Sequence, residues 1–171
     1  MNPKVLILMG SDSDWDVMAE ARKALEELGV PTEVHVSSAH RTPARTGALA
    51  REAAARGIRV VICGAGAAAH LAGVVAAETE LPVLGVPLAA SDLQGLDALL
   101  STAQMPGGVP VGTLAIGKAG ARNAGLLAAR IIALSDPALA ARVREQRARM
   151  AREVEGKDAA LQARLRGDAA P

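Results

Sequence analysis

The sequence predicts an α/β fold built on a five-stranded parallel sheet, with helices on both faces in a three-layer arrangement. Five short apolar runs alternate along the chain with longer stretches in which apolar residues recur at helical spacing. Apart from residues 32–36, where apolar and polar residues alternate, the runs are mostly continuous in apolar residues, which is typical of parallel strands that are buried on both faces. Strand–helix units repeated in this way produce a parallel sheet. We predict the strand order 2-1-3-4-5, which the pattern alone does not fix.

Glycine, proline and polar residues separate the predicted elements. The predicted strands are residues 5–9, 32–36, 58–63, 83–86 and 111–116. The predicted helices that accompany them are residues 14–28, 43–56, 69–79, 91–102 and 119–134. Pro43 opens the second helix, and Ser91 or Asp92 is the expected N-cap of the fourth. We expect residues 1–136 to form one domain.

A last helix is predicted over residues 137–156, after Pro137. Its apolar stripe is narrow and consists of Leu139, Val143, Met150 and Val154. Such a stripe fits either a helix that lies on its own domain or a helix that packs against a neighbouring subunit. The tail of residues 157–171 has little apolar surface to bury, and we expect it to be frayed.

The composition excludes several classes of function. Trp15 is the only aromatic residue, so the chain lacks the rings on which proteins stack single-stranded nucleic acid. A net charge of +1 provides no basic surface for duplex nucleic acid. The first apolar run is too short for a signal peptide or a membrane span, so we expect a soluble cytoplasmic protein. The single cysteine, Cys63, lies in an apolar run and is expected to be buried.

The first predicted strand is followed by a loop that is suited to binding a phosphate. Gly10 permits a tight turn, Ser11 and Ser13 carry hydroxyl groups, and the loop leads into a helix N-terminus. Free backbone N–H groups and the helix dipole attract anions at such a point. An ordinary N-cap formed by Ser13 or Asp14 is the alternative explanation.

The second strand is followed by His40 and Arg41, which indicate proton transfer on an anionic ligand. In open α/β sheets, ligands bind at the carboxyl ends of the strands. Histidine titrates near neutral pH, and arginine binds phosphate and carboxylate groups. A lone histidine can also be purely structural, and we interpret His35, inside the predicted strand, as a packed side chain.

The third strand is followed by a loop of small residues that ends at His70. Residues 64–69 formally match the dinucleotide fingerprint GxGxxA, but no acidic residue ends the next strand, so we reject an NAD site. The run GTLAIGKA at 112–119 lacks the Ser or Thr of a P-loop, which argues against ATP. The three histidines show no metal-binding spacing. We therefore expect neither a cofactor nor a metal.

Four segments together resemble the class I 5-(carboxyamino)imidazole ribonucleotide mutase family of purine biosynthesis. They read GSDSDW at 10–15, SAHRTP at 38–43, GAGAAAH at 64–70 and QMPGGVPVGTLAIG at 104–117. The likeness covers residues 5 to about 139. It implies a flavodoxin-like fold and a cofactor-free enzyme. The implied partners are a small nucleotide substrate and further copies of the chain in an octamer.

The resemblance also implies a role for each loop. His40 would be the catalytic proton shuttle, assisting loss of the carboxylate from the exocyclic nitrogen and later removing the C4 proton. Ser11, Ser13 and Arg41 would hold the phosphate, and Asp14 the ribose. The other substrate-binding residues, several of which would form a small slot for CO2, are Ser38, Ala39, Gly64, Ala65, Gly66, Ala67, His70 and Leu71. Residues 85–90 would line the same pocket.

Two residues depart from the family pattern beside the expected slot: Ala67 replaces a glycine and Ala72 replaces a proline. We expect activity to be retained. Two other interpretations stay open. A class II relative would carboxylate aminoimidazole ribonucleotide with free CO2, but it usually has Lys-Gly in place of Arg41-Thr42, which favours class I. A non-enzymatic nucleotide-binding module would keep the phosphate loop and have no need of His40.

Overall fold

A computed structural model describes residues 2–166 and contains one five-stranded sheet. Its strands are β1 (Val5–Met9), β2 (Thr32–Val36), β3 (Val60–Gly66), β4 (Val83–Leu88) and β5 (Gly112–Thr113). Every neighbouring pair is parallel, and the spatial order is β2-β1-β3-β4-β5. The predicted strand order is therefore confirmed.

Helices cover both faces of this sheet. They are α1 (Trp15–Glu27), α2 (Pro43–Arg51), α3 (Leu71–Glu78), α4 (Leu96–Ala103), α5 (Lys118–Ala133) and α6 (Pro137–Arg166). Buried side chains of α1, α5 and the start of α6 pack on one face, and those of α2 and α3 pack on the other. The predicted three-layer α/β class is confirmed.

β1 explains why the strands are continuously apolar. Val5, Ile7 and Met9 belong to the core shared with α1 and α5, whereas Leu6 and Leu8 belong to the core shared with α2 and α3. Successive side chains of a strand point to opposite faces, so a strand that is covered on both sides needs an apolar residue at every position. The buried thiol of Cys63 contributes to the second core, as expected, and burial raises its pKa.

Small residues bring α1 and α5 into close contact. A Cβ atom added to Gly125 would lie 2.5 Å from the carbonyl oxygen of Ala21 and 3.0 Å from the Cβ of Ala24. This close approach fills the space that larger side chains occupy in other cores.

An ion pair also joins α1 and α5. Arg122 donates to both carboxylate oxygens of Glu27, at 2.9 and 3.3 Å. This hydrogen bond lowers the pKa of the Glu27 carboxyl.

Three elements are at least four residues shorter than predicted. α2 ends at Arg51 instead of residue 56. β5 pairs with β4 only at Gly112–Thr113, whereas we predicted a strand over 111–116. α4 begins at Leu96 instead of residue 91, because Gln94 and Gly95 have φ angles of +50° and +90°, which an α-helix does not contain. The predicted N-cap, Ser91 or Asp92, is therefore wrong, and the N-cap position is Gly95. The Ser91 side chain has another role. Its hydroxyl donates instead to Oδ2 of Asp97, at 2.6 Å.

The C-terminal helix α6 is longer than predicted. It continues to Arg166, about ten residues beyond the expected end, so residues 157–166 are helical where we expected a frayed tail. Residues 167–171 lie outside the described part of the chain. Leu139 and Gln146 are buried, whereas Val154 and Leu165 are 65% and 71% exposed. Among residues 2–166, no helix has the length and apolar character needed to cross a membrane.

Candidate active site

The site lies where the loops after β1, β2 and β3 meet at one edge of the sheet. Met9, the last residue of β1, pairs with Val36 of β2 on one side and with Gly64 of β3 on the other. The three loops that follow are consequently neighbours in space. They surround a cavity of about 370 Å³, which we call the main cavity. This volume is within the range of small-molecule sites.

Most of the residues proposed from the sequence lie around the main cavity. Eleven of the thirteen line it: Ser11, Ser13, Asp14, Ser38, Ala39, His40, Arg41, Ala65, Gly66, Ala67 and Leu71. Gly10, Ala68 and Ala90 complete the wall. Gly64 does not line the cavity because it packs against the core side chain of Met18, whose Sδ would lie 2.3 Å from a Cβ atom on Gly64. His70 is also absent from the wall, but its ring contacts His40.

His40 and His70 form a hydrogen-bonded pair. Nε2 of His40 lies 2.9 Å from Nδ1 of His70, and the rings meet edge to face with centroids 5.0 Å apart. The two residues are 30 positions apart in sequence and come together because β2 and β3 flank β1. A single proton occupies the space between two imidazole nitrogens in such a bond. The pair can therefore store and release a proton at the cavity.

The loop after β1 forms a closed network of its own. The Ser11 N–H donates to Oδ2 of Asp14 at 3.0 Å, and the Ser13 N–H donates to Oδ1 of Asp12 at 3.0 Å. The Ser13 hydroxyl donates to Oγ of Ser11 at 2.9 Å, and the Ser11 hydroxyl donates to Asp12 at 3.1 Å. Ser11 and Asp14 thus build a capping box around a short 3₁₀ turn. The loop does cap a helical turn, but the predicted cap residues are wrong: the side chain that caps is Ser11, and neither Ser13 nor Asp14 has this role.

Arg41 connects the second loop to the first. One terminal nitrogen of its guanidinium donates to the carbonyl oxygen of Gly10 at 2.9 Å, which leaves further N–H groups for a ligand. Its backbone N–H donates to Oγ of Ser38 at 3.2 Å. The Thr42 hydroxyl closes the same turn by donating to the Ser38 carbonyl oxygen at 3.0 Å.

The loop after β3 brings backbone atoms close to the cavity. A Cβ atom on Gly66 would lie 2.4 Å from the Cβ of Ala90, so glycine is required for this contact. Ala67 has a φ angle of +51°, a left-handed conformation that costs an L-residue about 1–2 kcal/mol. The Ala69 N–H donates to Oγ of Ser101 at 3.2 Å. These contacts hold the loop that carries His70.

A second cavity of about 340 Å³ adjoins the main one. Arg41, Ser11, Ser38 and Gly10 line both. The second cavity is also lined by Arg45, which the sequence analysis passed over. The only signal for it in the sequence is a basic residue four positions after Arg41, within the first turn of a helix. Within the described residues, no group of three His, Cys, Asp or Glu side chains could hold a metal ion.

The remaining histidine, His35, is not packed in the core as we expected. It is half-buried on the edge strand β2, where its Nε2 lies 2.8 Å from Oε1 of Glu33. Arg56 approaches the same carboxylate, at 3.3 Å. His35 is separate from the main cavity and is not part of its wall.

Comparison with known proteins identifies the family. The sequence model of the AIR carboxylase family matches residues 4–153. The chain belongs to the AIR carboxylase family. Its relatives include proteins named N5-carboxyaminoimidazole ribonucleotide mutase, and the one from Mycobacterium tuberculosis is 56% identical over 165 residues, covering 96% of this chain and 93% of that protein. The Bacillus subtilis protein of the same name is 56% identical over 147 residues, covering 86% and 91%.

Solved structures agree with this family assignment. The crystal structure of Treponema denticola PurE superposes with a TM-score of 0.84 and covers 93% of this chain and 98% of that one, at 28% sequence identity. The Treponema denticola PurE2-S38D structure has a TM-score of 0.85, also at 28% identity, with 94% and 99% coverage.

Both departures from the family pattern fit the local backbone. Ala67 takes the left-handed conformation that glycine adopts more readily, so the methyl group adds strain to this turn. Ala72 is buried at the second position of α3, where the backbone N–H has no partner within the helix. A proline or an alanine suits that position.

The pKa of the Asp14 carboxyl group is raised in the folded protein. Burial raises its pKa, and hydrogen bonds from the backbone of Ser11 and Gly10 oppose that effect. A carboxyl whose pKa is raised in the folded state stabilises the fold only while it is protonated, and the contribution is lost as the pH rises through the folded-state pKa. At neutral pH, the ionised Asp14 therefore opposes folding.

Replacing Asp14 should separate its charge from its role as an acceptor in the capping box. At pH 7, we expect Asp14→Asn to unfold at the same temperature as the parent or higher, because an amide oxygen can still accept from the Ser11 N–H. Asp14→Ala should lower the free energy of unfolding by about 1 kcal/mol, because the capping box loses this acceptor. Asp16→Asn, an exposed carboxylate of the same helix turn, is the control. Thermal unfolding from about pH 4 to 8 measures the stability of each variant relative to the parent. If Asp14→Asn and Asp14→Ala lost the same stability at pH 7, the expectation would be contradicted.

Proposed function

We propose that this protein is an N5-carboxyaminoimidazole ribonucleotide mutase of purine biosynthesis. It would transfer the carboxylate from the exocyclic nitrogen to C4 of the imidazole ring. The observation that carries the proposal is identity of 52–56% to relatives of that name over most of the chain. The site supports the proposal as well. The paired histidines lie beside a cavity that polar loops line on one side and small apolar residues on the other.

The two sides of the main cavity suit the two ends of the substrate. Ser11, Ser13 and Arg41 lie on the polar side and bind the phosphate end. Asp14, beside them, accepts a hydrogen bond from a ribose hydroxyl. Ser38 and Ala39, from the turn before His40, border the place of the imidazole ring. The base is thereby presented to the histidine pair.

His40 moves the proton in both halves of the reaction. A protonated His40 first gives its proton to the substrate as the N–carboxylate bond breaks, which yields aminoimidazole ribonucleotide and CO2. The ring carbon C4 then attacks CO2 and forms a new C–C bond. The neutral His40 finally takes the C4 proton, which restores the aromatic ring and the starting protonation state. The sequence of steps is an isomerisation, so no external acid, base or cofactor is consumed.

His70 positions His40 for this exchange. The hydrogen bond at 2.9 Å engages Nε2 of His40, so that Nδ1 is the nitrogen left for the substrate. The same bond fixes the orientation of the His40 ring, as the partner of a catalytic histidine commonly does. His70 can also accept part of the positive charge while His40 is protonated.

The small-residue wall retains CO2 between the two half-reactions. Ala65, Gly66, Ala67 and Ala90 offer no hydrogen-bonding side chain, and Leu71 closes the same region. CO2 is neutral and binds weakly, so confinement next to C4 has to supply a high effective concentration. An apolar slot also excludes the water that would hydrate CO2.

A turnover assay tests the activity directly. The protein should convert synthetic N5-carboxyaminoimidazole ribonucleotide to the C4-carboxylated isomer without added bicarbonate. The second candidate activity is direct carboxylation of aminoimidazole ribonucleotide (AIR). The name of the family, AIR carboxylase, favours it. Turnover only from aminoimidazole ribonucleotide with bicarbonate would show that this second candidate is correct. A protein that binds the nucleotide and turns over neither substrate would be a binding module.

Substituting the histidines should separate chemistry from binding. We expect His40→Asn to lower kcat by about a thousandfold, within the usual range for a general acid–base residue, with nucleotide affinity nearly unchanged. His70→Asn should lower kcat by about tenfold and shift the pH profile, since His40 loses its partner. His35→Asn, which lies outside the cavity, is the matched control and should behave as the parent. Unchanged turnover of His40→Asn would refute the proton-shuttle role.

We further propose that the enzyme is a cytoplasmic homo-octamer. The distal part of α6 supports assembly, because Met150, Val154, Leu161 and Leu165 are exposed on a single helix and contact little of their own chain. Leu93, Leu96 and Leu100 form another exposed apolar group around α4. Neighbouring subunits would bury both groups.

Light scattering checks the oligomeric state. The expected mass is about eight times that of the 17.4 kDa chain. Val154→Arg and Leu161→Arg should shift the mass downwards, whereas Arg144→Gln on the same helix should not, because it removes no apolar surface. A monomer at micromolar concentration would exclude the octamer.

A further inference from the structure

We infer that Arg45 is a further substrate-binding residue, which holds the phosphate of the nucleotide together with Arg41. The inference rests on the proposed function for the identity of the substrate. Its structural basis is the second cavity, in which Arg41 and Arg45 are the two cationic side chains. Arg41 also lines the main cavity, so a ligand that spans both cavities passes its guanidinium.

The loop after β1 has few donors left for a phosphate. The N–H groups of Ser11 and Ser13 point to the carboxylates of Asp14 and Asp12. Both serine hydroxyls donate within the loop and have to rotate before they can donate to a phosphate. A phosphate dianion needs several donors to replace its hydration. Within the two cavity walls, the guanidinium groups of Arg41 and Arg45 are the charged donors that can supply them.

The charges around the two cavities lead to the same conclusion. Asp12 and Asp14 each contribute a negative charge, and Arg41 contributes one positive charge. With His40 protonated, as at the start of the proposed reaction, these charges sum to zero without Arg45 and give a phosphate dianion no net attraction. Arg45 makes the sum +1. The second cation therefore supplies the net attraction for a phosphate beside two carboxylates.

Arg45 is free to take this role. It is exposed in the first turn of α2, and no hydrogen bond or ion pair engages its side chain within residues 2–166. Arg51 and Arg56, which follow it, are instead paired with Glu78 and Glu33. A cation with no partner beside a cavity is available for a ligand. A guanidinium can also bind phosphate through two parallel hydrogen bonds.

Arg45→Gln tests the inference, with Arg59→Gln as the matched control. Arg59 is also an exposed arginine, but it precedes β3 at the opposite edge of the sheet. We expect Arg45→Gln to raise KM for N5-carboxyaminoimidazole ribonucleotide by about tenfold with kcat within about twofold, as for the loss of one charge-assisted contact. Arg45→Lys should recover part of the loss, because it restores the charge without the planar fork. Arg59→Gln should match the parent.

Calorimetry with ribose 5-phosphate and with ribose makes the test independent of turnover. Arg45→Gln should weaken ribose 5-phosphate binding by about tenfold and leave the much weaker binding of ribose unaffected. Equal melting temperatures of the variants and the parent establish that all are folded. An unchanged KM together with unchanged ribose 5-phosphate affinity would overturn the role of Arg45. If the parent turns over no substrate, the mutase proposal fails, and the calorimetric comparison alone decides the role of Arg45.

Discussion

The register of β1 with its two neighbours is the constraint on which the site depends. Met9 pairs with Val36 and with Gly64, so the loops after β1 and β2 begin at the same height on the sheet, and the loop after β3 begins two residues further along. A slip of one residue in a strand would turn its side chains to the opposite face and move the following loop by about 3.3 Å. The hydrogen bond between His40 and His70 would not survive such a shift. Packing in the sheet therefore determines the geometry of the proton-transfer pair.

Local sequence rules predicted the first two strands best, since the bounds of β1 and β2 match the prediction residue for residue. β1 is buried on both faces, which produces an apolar run that ends at Gly10. β2 is the partly exposed edge strand, and its alternating apolar and polar residues end before Ser37. The start of α4 was missed for a tertiary reason. Gly95 lies so close to Ile116 that a Cβ atom would be 2.8 Å away, and the local preference of Ser91 as a cap does not reveal this contact. The extension of α6 was missed because exposed Ala, Leu, Gln and Arg residues form a helix without burying a face.

The chemistry of the site was partly predictable. The carboxyl ends of parallel strands lie at one edge of the sheet, so the residues that follow β1, β2 and β3 are close together. Eleven of the thirteen site residues predicted from the sequence line the main cavity for this reason. The sequence pattern carried no information on Gly64, which extends β3 and lies beneath the wall against Met18. Nor did it indicate that the loop donors of Ser11 and Ser13 are used within the loop, since this depends on side-chain rotamers.

The absence of other aromatic residues makes the chain its own optical probe. Trp15 is the only Trp, Tyr or Phe in the sequence, and it directly follows Asp14 at the start of α1. It is half-buried and packs against the core shared with α1 and α5. Tryptophan emission from this protein consequently reports on a single location, next in sequence to Asp14 of the cavity wall. Ligand binding and local unfolding of that loop can be followed without a label or an engineered substitution.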